Sequence, residues 1–251
     1  RGIPVEVNEA HHWSLRSAPD SVAVAAFYLA AYNAKKAGGK DYIAQIMLNN
    51  PPGTSGIMDL GKALAGLELV ARLEDADFKV YRQVRAGLAS LSVKPYVAKG
   101  QLAASTVFGL ALAPQIIHVV AYCEADHIAT PTEIIESCEI VHGVLKNCLY
   151  DAPDPTADRR VVARRDELIA EAELILDAIW QLGAAGTADP WSDPETLAKA
   201  VALGILDAPQ LKGSAVAPGK IKTRMEQGAC RLWDEDTQQV IGERTRLAGG
   251  N

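Results

Sequence analysis

The sequence predicts an α/β protein in which parallel strands alternate with helices. Strand-like apolar runs begin near residues 3, 42, 78 and 116, at intervals of 36 to 39 residues, and a helical pattern lies between each pair. This is the period of (β/α) units. Four units are visible, whereas a closed (β/α)8 barrel of the TIM type requires eight. We therefore expect about half of such a barrel, followed by a helical and β-hairpin C-terminal segment, with an open sheet as the alternative.

Residues 1–150 are assigned to the barrel units. Pro19 and Asp20 open a long alanine-rich helix, and Gly38 and Gly39 supply its C-terminal signals. The segment NNPPGTSG is too rich in Asn, Pro and Gly to be anything other than a loop. We expect strands at 3–9, 42–48, 78–84 and from 116, helices at 20–36, 58–73, 101–113 and 131–149, a loop at 11–13 and a long connection at 85–99.

Residues 151–251 are assigned to a C-terminal appendage. A proline-rich acidic linker at 151–158 precedes a long charged helix at 159–182, and a second linker at 184–193 precedes a helix at 194–204. The last part has strand–turn–strand character, with strands at 230–233 and 238–241 around a DEDT turn. At the other end, the chain opens on Arg1 inside a strand-like run, which indicates a processed, split or partial polypeptide.

Composition and charge exclude several classes of function. The 251 residues are 49% hydrophobic, which is enough to bury a sizeable core. A net charge of −6 argues against nucleic-acid binding, because phosphate recognition needs a basic face. No apolar run reaches transmembrane length, so we expect no membrane partner. The four cysteines show neither C-x-x-C nor metal-ligand spacing, which favours reduced thiols in a cytoplasmic protein.

A cluster of ionisable side chains follows the fourth strand. Glu124, Asp126 and His127 come soon after the apolar run, and residues 130–133 then supply the start signals of a helix. The carboxyl ends of parallel strands are where (β/α) enzymes build their active sites. Paired carboxylates beside a histidine suit proton transfer or the binding of ribose hydroxyls. The alternative is a solvated loop whose acids cap a neighbouring helix.

Two further sets of residues follow predicted strands. Glu9, next to His11 and His12, is a candidate for contacting substrate or cofactor, with a solvated loop as the alternative. No Glu/His pair there has the i, i+4 spacing of a strong zinc signal, so we predict no metal site. Arg82 and Arg85 end the third predicted strand, where a guanidinium can clamp a substrate carboxylate in bidentate fashion. A salt bridge to a loop acid is the alternative for both arginines.

Two stretches of the chain, taken together, resemble one enzyme family. VAYCEADHIATPTEIIES, with the later helix ELIAEAELILDAIWQLG, resembles the strand-end loop and following helices of the large (epsilon) subunit of methylaspartate mutase, also called glutamate mutase. KAVALGILDAPQLKGSAVAPGKIKTRMEQGACRL resembles the C-terminal segment of that family. The opening GIPVEVNEAHH also resembles a family barrel strand that ends in a Glu, and the similarity is more specific over 116–232 than over 1–115. The residues that carry the C-terminal match are Gly204, Ile205, Leu206, Asp207, Pro209, Gly219, Lys220, Arg224, Gly228 and Arg231.

The resemblance implies a (β/α)8 barrel that works with adenosylcobalamin and a small acid substrate. In the family, a separate small subunit with an Asp-x-His-x-x-Gly motif binds the corrinoid; this chain lacks that motif, so a corrinoid-binding partner is implied. The N-terminal half of the barrel would be another chain or a missing segment. A family Lys and, four residues later, a Glu contact the adenosyl ribose, and the matching positions here are Tyr122 and Asp126. The family Glu after an earlier strand corresponds best to Glu9, and His11 replaces a neighbouring aromatic residue.

The function implied by the resemblance is that of an isomerase, active only with its partner chains. The chain would be the catalytic-subunit portion of an adenosylcobalamin-dependent carbon-skeleton mutase that rearranges an amino acid such as glutamate or 3-methylaspartate by a radical route. One alternative is a B12-independent (β/α)-barrel lyase or isomerase that uses Glu124, Asp126 and His127 as acid–base groups. The other is a non-catalytic scaffold subunit. The assigned residues are Glu9, Arg82 and Arg85 as catalytic, and Tyr122, Glu124, Asp126, His127 and His11 as cofactor-binding.

Overall fold

The computed structural model describes residues 2–148 and 154–249 of the chain. Its first part is built on a sheet of four strands, which are all parallel and arranged in chain order. This arrangement confirms the α/β class and the alternation of strands with helices that the sequence predicts. The strands are β1 (Val5–Glu6), β2 (Asp41–Leu48), β3 (Lys79–Ala86) and β4 (Ile116–Ile117).

Local sequence signals start the helices that connect these strands. The Ser55 side chain caps the helix α3 (Gly56–Ala71) by accepting a hydrogen bond from the backbone N–H of Met58, and Pro95 occupies the first turn of α4 (Pro95–Leu110). At the start of α5 (Pro131–Cys148), the backbone N–H of Thr130 donates to the Glu133 carboxylate over 2.8 Å, as in a capping box. The helices are α1 (Glu9–Leu15), α2 (Asp20–Lys36), α3 (Gly56–Ala71), α4 (Pro95–Leu110) and α5 (Pro131–Cys148).

Several boundaries differ from the sequence prediction, and three of the differences affect the sheet and its connections. β1 covers only Val5–Glu6, and α1 occupies the whole segment predicted as a loop, because Ala10, Trp13 and Ser14 bury one side of a short helix. α4 begins at Pro95 rather than at residue 101, since a proline is favoured at the first helical position. β3 continues to Ala86 rather than ending at residue 84.

The two faces of the sheet have different surroundings. Even-numbered residues of β2 are buried in a core with Phe27 of α2, Leu60 of α3 and Val84 of β3, against which Phe108 of α4 also packs. These helices therefore form a layer on one face, an arrangement compatible with part of a (β/α) barrel; a doubly wound sheet carries helices on both faces. Odd-numbered residues of β2 point to the opposite face, because side chains alternate along a strand. We call this opposite face, which carries Glu6, Gln45, Gln83 and Arg85, the inner face.

The C-terminal part adds helices and a small antiparallel sheet. The long helix α6 (Arg159–Gln181) packs on α2 and α3, and the division of the chain into two parts near residue 150 stays a prediction. The strand–turn–strand segment predicted at the end of the chain is present as β6 (Ala229–Asp234) and β7 (Gln239–Val240), and β5 (Thr223–Glu226) is a strand that the sequence did not predict. These elements are α6 (Arg159–Gln181), α7 (Pro194–Ala202), β5 (Thr223–Glu226), β6 (Ala229–Asp234), β7 (Gln239–Val240) and α8 (Glu243–Ala248).

The end of the predicted helix 131–149 and the start of the predicted linker 151–158 lie outside the described residues, which omit 149–153. Among the helices that the structure describes, none combines the length and the apolar character that crossing a membrane requires.

A chain of buried charges, which we call the buried ionic network, joins α2, α3 and α6. Asp20 accepts a hydrogen bond from the Arg164 guanidinium over 2.8 Å, and Arg164 also donates to Glu167 over 2.9 Å. The Lys62 ammonium lies 3.5 Å from Asp20 and 3.2 Å from Asp59. Burial alone lowers the pKa of Lys62, but the Asp20 and Asp59 carboxylates raise it overall. Each buried charge therefore depends on its partners.

The C-terminal stretch that carries the family resemblance is organised around one buried carboxylate. Asp207 is 1% exposed and accepts hydrogen bonds from the backbone N–H groups of Gly219, Lys220 and Ile221 over 2.9, 2.9 and 3.2 Å. Gly219 has φ +56, and a Cβ there would lie 2.0 Å from the backbone nitrogen of Lys212. The Asp and the Gly-Lys turn of this stretch thus form one structural unit.

Candidate functional site

The inner face carries a row of polar side chains on three neighbouring strands. Gln45 of β2 and Gln83 of β3 are in register and are 1% and 5% exposed, respectively. Both side-chain amides donate to the carboxylate of Glu6 at the end of β1, the one from Gln83 over 3.2 Å. The side-chain oxygen of Gln45 is buried without a hydrogen-bond partner among the described residues. Gln45 and Gln83 lie in the middle of their strands. Polar side chains that converge on one face in this way are typical of a ligand-binding surface.

Arg85 lies on the same face, two residues after Gln83 and near the carboxyl end of β3. Its side chain is half-buried, and its Nε is buried with no hydrogen-bond partner among residues 2–148 and 154–249. Burial lowers the pKa of Arg85, while the carboxylates of Glu124 and Glu6 act in the opposite direction. Within the described parts of the chain, no carboxylate lies within salt-bridge distance of this guanidinium. Arg85 is therefore available to a ligand carboxylate.

Arg82, the other arginine predicted for substrate binding, is placed differently. It lies in the middle of β3 rather than at its end, because the strand continues to Ala86. Residues 82 and 85 are three positions apart, so strand alternation directs their side chains to opposite faces of the sheet. The two guanidiniums cannot clamp one ligand together.

The segment between β4 and α5, residues 118–130, is called the rim loop here. His118, which the sequence did not mark as a candidate, donates its backbone N–H to the Val84 carbonyl over 2.9 Å and so extends the sheet beyond β4. Burial and, next, the nearby charge of Arg85 lower the pKa of its imidazole. Glu124 accepts a hydrogen bond from the backbone N–H of Ala121 over 2.9 Å. His118 and Glu124 thus lie in the electrostatic surroundings of Arg85.

Tyr122 does not take part in this surface. Its hydroxyl donates to Glu136 of α5 over 2.8 Å, and the Lys99 ammonium of α4 lies 4.5 Å from its ring centroid. Its side chain is thus held between α4 and α5, in the helix layer rather than at the mouth of the inner face. The Glu136 carboxylate, which accepts the hydroxyl hydrogen bond, raises the pKa of Tyr122.

Asp126 and His127 are exposed on the rim loop and belong to a compact polar cluster. The His127 imidazole lies 2.9 Å from Asp126 Oδ2 through Nδ1 and 2.8 Å from Glu133 Oε1 through Nε2. The two carboxylates, that of Asp126 first, raise the pKa of His127. Cys123 adds a sulfur atom to this cluster. One ligand atom from each of Cys123, His127 and Glu133 lies within 4.8 Å of the other two. The sequence predicted no metal site, and this grouping was missed because its members are spaced Cys-x3-His-x5-Glu and only the folded loop brings them together.

The two remaining predicted residues, Glu9 and His11, lie on the helix α1 rather than at the end of a strand and in the loop after it, respectively. His11 is buried, and its Nε2 donates to the backbone carbonyl of Gln45 over 2.7 Å. Burial lowers the pKa of His11 to about 4, and the charges of Lys62 and Arg85 act in the same direction. His11 is therefore a neutral structural residue rather than an accessible cofactor contact. Glu9 begins α1, and its side chain lies outside what the structure describes.

Comparison with known proteins assigns no family to the chain. No protein-family model matches it, and no curated protein shows significant similarity to it. A function for this chain consequently has to be proposed from the geometry of the inner face and the rim loop, and the resemblance to the mutase subunit stays a prediction.

Proposed function

We propose that this chain is part of the wall of a (β/α)-barrel enzyme and that Arg85 binds the carboxylate of a small acid substrate at the inner face. The observation that carries the proposal is the state of Arg85: half-buried, partly desolvated, and with an orphaned Nε on a face lined by buried amides. A guanidinium offers a carboxylate two parallel hydrogen bonds, and these are stronger where water is excluded.

The reaction that we propose is the rearrangement expected from the resemblance, namely an adenosylcobalamin-dependent carbon-skeleton isomerisation of an amino acid such as glutamate. A corrinoid-binding partner and further barrel strands from another segment or chain complete the enzyme. The chemistry supplied by the bound coenzyme is radical formation, and the protein has to position the substrate and exclude water. In this chain, Arg85 positions the substrate, and the buried amides of Gln45 and Gln83 hold the Glu6 carboxylate on the same face.

The residues of the rim loop fit the coenzyme only in part. Asp126 is exposed at the carboxyl end of the sheet, so its carboxylate is accessible to ribose hydroxyls. Tyr122 is committed to Glu136 and His11 is committed to Gln45, so neither fits a ribose contact. We therefore limit the coenzyme contacts of this chain to the exposed part of the rim loop, with Asp126 as the principal residue and Glu124 and His127 beside it.

One observation favours the B12-independent alternative. His127 is held between Asp126 and Glu133, which favours its protonated form and makes it a candidate general acid. The substitution Asp126→Asn separates the two functions. A mutase loses affinity for adenosylcobalamin, whereas a lyase that uses His127 as an acid shows a shifted pH–rate profile instead.

The substrate assignment is tested with Arg85→Met, and Arg82→Met is the matched control because it removes an arginine from the opposite face of the same strand. The complex of this chain with its barrel and corrinoid-binding partners is loaded with adenosylcobalamin, and substrate-dependent cleavage of the Co–C bond is followed by absorbance. Charge-assisted hydrogen bonds contribute roughly 1.5–3 kcal/mol, so we expect KM to rise about 10- to 150-fold for Arg85→Met and to stay unchanged for Arg82→Met. An unchanged KM in Arg85→Met would refute the assignment of Arg85, and a complex that does not bind adenosylcobalamin would refute the mutase.

A further inference from the structure

The rim loop brings three potential metal ligands of different chemistry to one point. The backbone N–H groups of Asp126 and His127 both donate to the Cys123 carbonyl, over 2.8 and 3.0 Å, so the chain makes a tight turn there. This turn places the side chains of Cys123 and His127 on one side of the loop. Glu133, in the first turn of α5, faces them, and a ligand atom from each of the three residues lies within 4.8 Å of the others.

We propose that Cys123, His127 and Glu133 bind a divalent transition-metal ion of the zinc class, with a fourth position open to water or a ligand. A thiolate and an imidazole select borderline and soft metals such as Zn²⁺ over Mg²⁺ and Ca²⁺, which prefer oxygen ligands. Three protein ligands with an open position are the usual arrangement of a reactive zinc site. The inference does not rest on the proposed mutase function, although it uses His127 and Asp126, which that function also places among the coenzyme contacts of the rim loop.

Two neighbouring contacts already prepare the ligands for a metal. Asp126 bonds Nδ1 of His127 and thereby directs Nε2 towards Glu133, which is the carboxylate–histidine arrangement found behind many zinc ligands. The backbone N–H and the hydroxyl of Thr130 each donate to Glu133 Oε2 over 2.8 Å, which leaves Oε1 to face the cluster. The orientations of both side chains are therefore fixed without the metal.

The ligand atoms have to adjust to admit the ion: the Cys123 sulfur, which lies within 4.8 Å of the other two, has to approach them, and His127 and Glu133 have to separate slightly. His127 Nε2 and Glu133 Oε1 are 2.8 Å apart, whereas two tetrahedral zinc ligands of these types are about 3.3–3.5 Å apart. His127 is exposed on a loop, so its ring can move outwards by the roughly half an ångström that this difference requires. Binding releases the Nε2 proton and the Cys123 thiol proton to solvent. The thiolate and the Glu133 carboxylate then balance the two positive charges of the ion.

The test uses the untagged full chain, freed of metals with a chelator and titrated with Co²⁺ and then with Zn²⁺. We expect one equivalent of Co²⁺ to produce a thiolate-to-cobalt charge-transfer band together with strong visible bands of tetrahedral cobalt, and Zn²⁺ to displace it. His127→Gln should abolish the tetrahedral bands. Asp126→Asn, which removes only the orienting carboxylate, should weaken binding about 10- to 100-fold. Because His127 and Asp126 are exposed, neither change is expected to unfold the chain.

The matched controls are Cys138→Ser and His142→Gln, which remove a thiol and an imidazole exposed on the same helix, α5. Both controls should bind Co²⁺ with the affinity and spectrum of the wild type. Absence of a charge-transfer band in the wild type overturns the proposal. So does a band that survives in His127→Gln or is lost in Cys138→Ser, since the sulfur or nitrogen ligand would then lie elsewhere.

Discussion

Lowering the pH should destabilise the fold through His11, a residue that the sequence suggested as a cofactor contact. The imidazole is buried in α1 and donates to the Gln45 carbonyl, so it is held in the neutral form with its proton on Nε2. A positive charge there would be desolvated and would also face the cations Lys62 and Arg85. Protonation is consequently much less favourable in the folded state than in the unfolded chain.

The size of the effect follows from the two pKa values. A histidine exposed to water, as in the unfolded chain, has a pKa of 6.5, whereas burial lowers the pKa of His11 to about 4 in the fold. Between these values the unfolded state binds the additional proton, so the free energy of unfolding falls as the pH falls through 6.5 towards 4. Each pH unit in this window costs about 1.4 kcal/mol. The loss at pH 5 is therefore about 2 kcal/mol, and it levels off at about 3 kcal/mol below the folded pKa.

The measurement is urea unfolding from pH 7.5 to 4.5 of the wild type and of His11→Gln, whose amide can still donate to the Gln45 carbonyl but does not titrate. The difference between the two free energies of unfolding should change by about 2 kcal/mol between pH 7.5 and pH 5. His12→Gln, which removes a second imidazole from the same helix, should keep the loss that depends on His11. If the difference between wild type and His11→Gln stays constant across this range, the imidazole is not held neutral by burial and the reasoning fails.

Two further predictions concern buried carboxylates. Asp20→Asn leaves the two cations of the buried ionic network without their shared partner and should cost about 3–5 kcal/mol in urea unfolding. As a control, Glu173→Gln breaks the exposed ion pair in which Glu173 lies 2.7 Å from the Arg72 guanidinium, and it should cost less than about 1 kcal/mol. Asp207→Asn removes one acceptor oxygen from the Gly-Lys turn and should cost roughly 1.5–3 kcal/mol, with amide hydrogen exchange at Gly219, Lys220 and Ile221 becoming faster. Equal effects of Asp20→Asn and Glu173→Gln would contradict the first prediction, and unchanged exchange at 219–221 would contradict the second.

Much of the fold could be predicted from the sequence because its elements are set by local patterns. The recurring apolar runs indicated the four parallel strands, and the helix starting at Asp20 was placed correctly by the proline before it. The short helix α1 was not predictable in this way. It depends on tertiary packing, since the buried side of a seven-residue helix has to be covered by α2 and the sheet.

The candidate site was less predictable, because a site depends on which face each residue occupies. Strand alternation is enough to separate Arg82 from Arg85, because their spacing of three positions puts them on opposite faces. The position of Tyr122 could not be found that way, because it follows β4 in a loop whose direction is set by contacts with Lys99 and Glu136 on two different helices. The cluster of Cys123, His127 and Glu133 was also missed, because its members are separated in the sequence and only the folded rim loop brings them together.

The inner face combines two properties that rarely occur together in a purely structural sheet. Its amides are almost fully buried, yet Gln45 and Arg85 each keep a polar atom without a partner among the described residues. A buried polar group left unpaired costs about 1–3 kcal/mol, so this face lowers the stability of the chain unless something else satisfies it. A substrate carboxylate at Arg85 would remove part of that cost on binding and would stabilise the fold by mass action. Arg85, whose unpaired Nε lowers the stability of the sheet, is therefore the residue that we propose to contact the substrate.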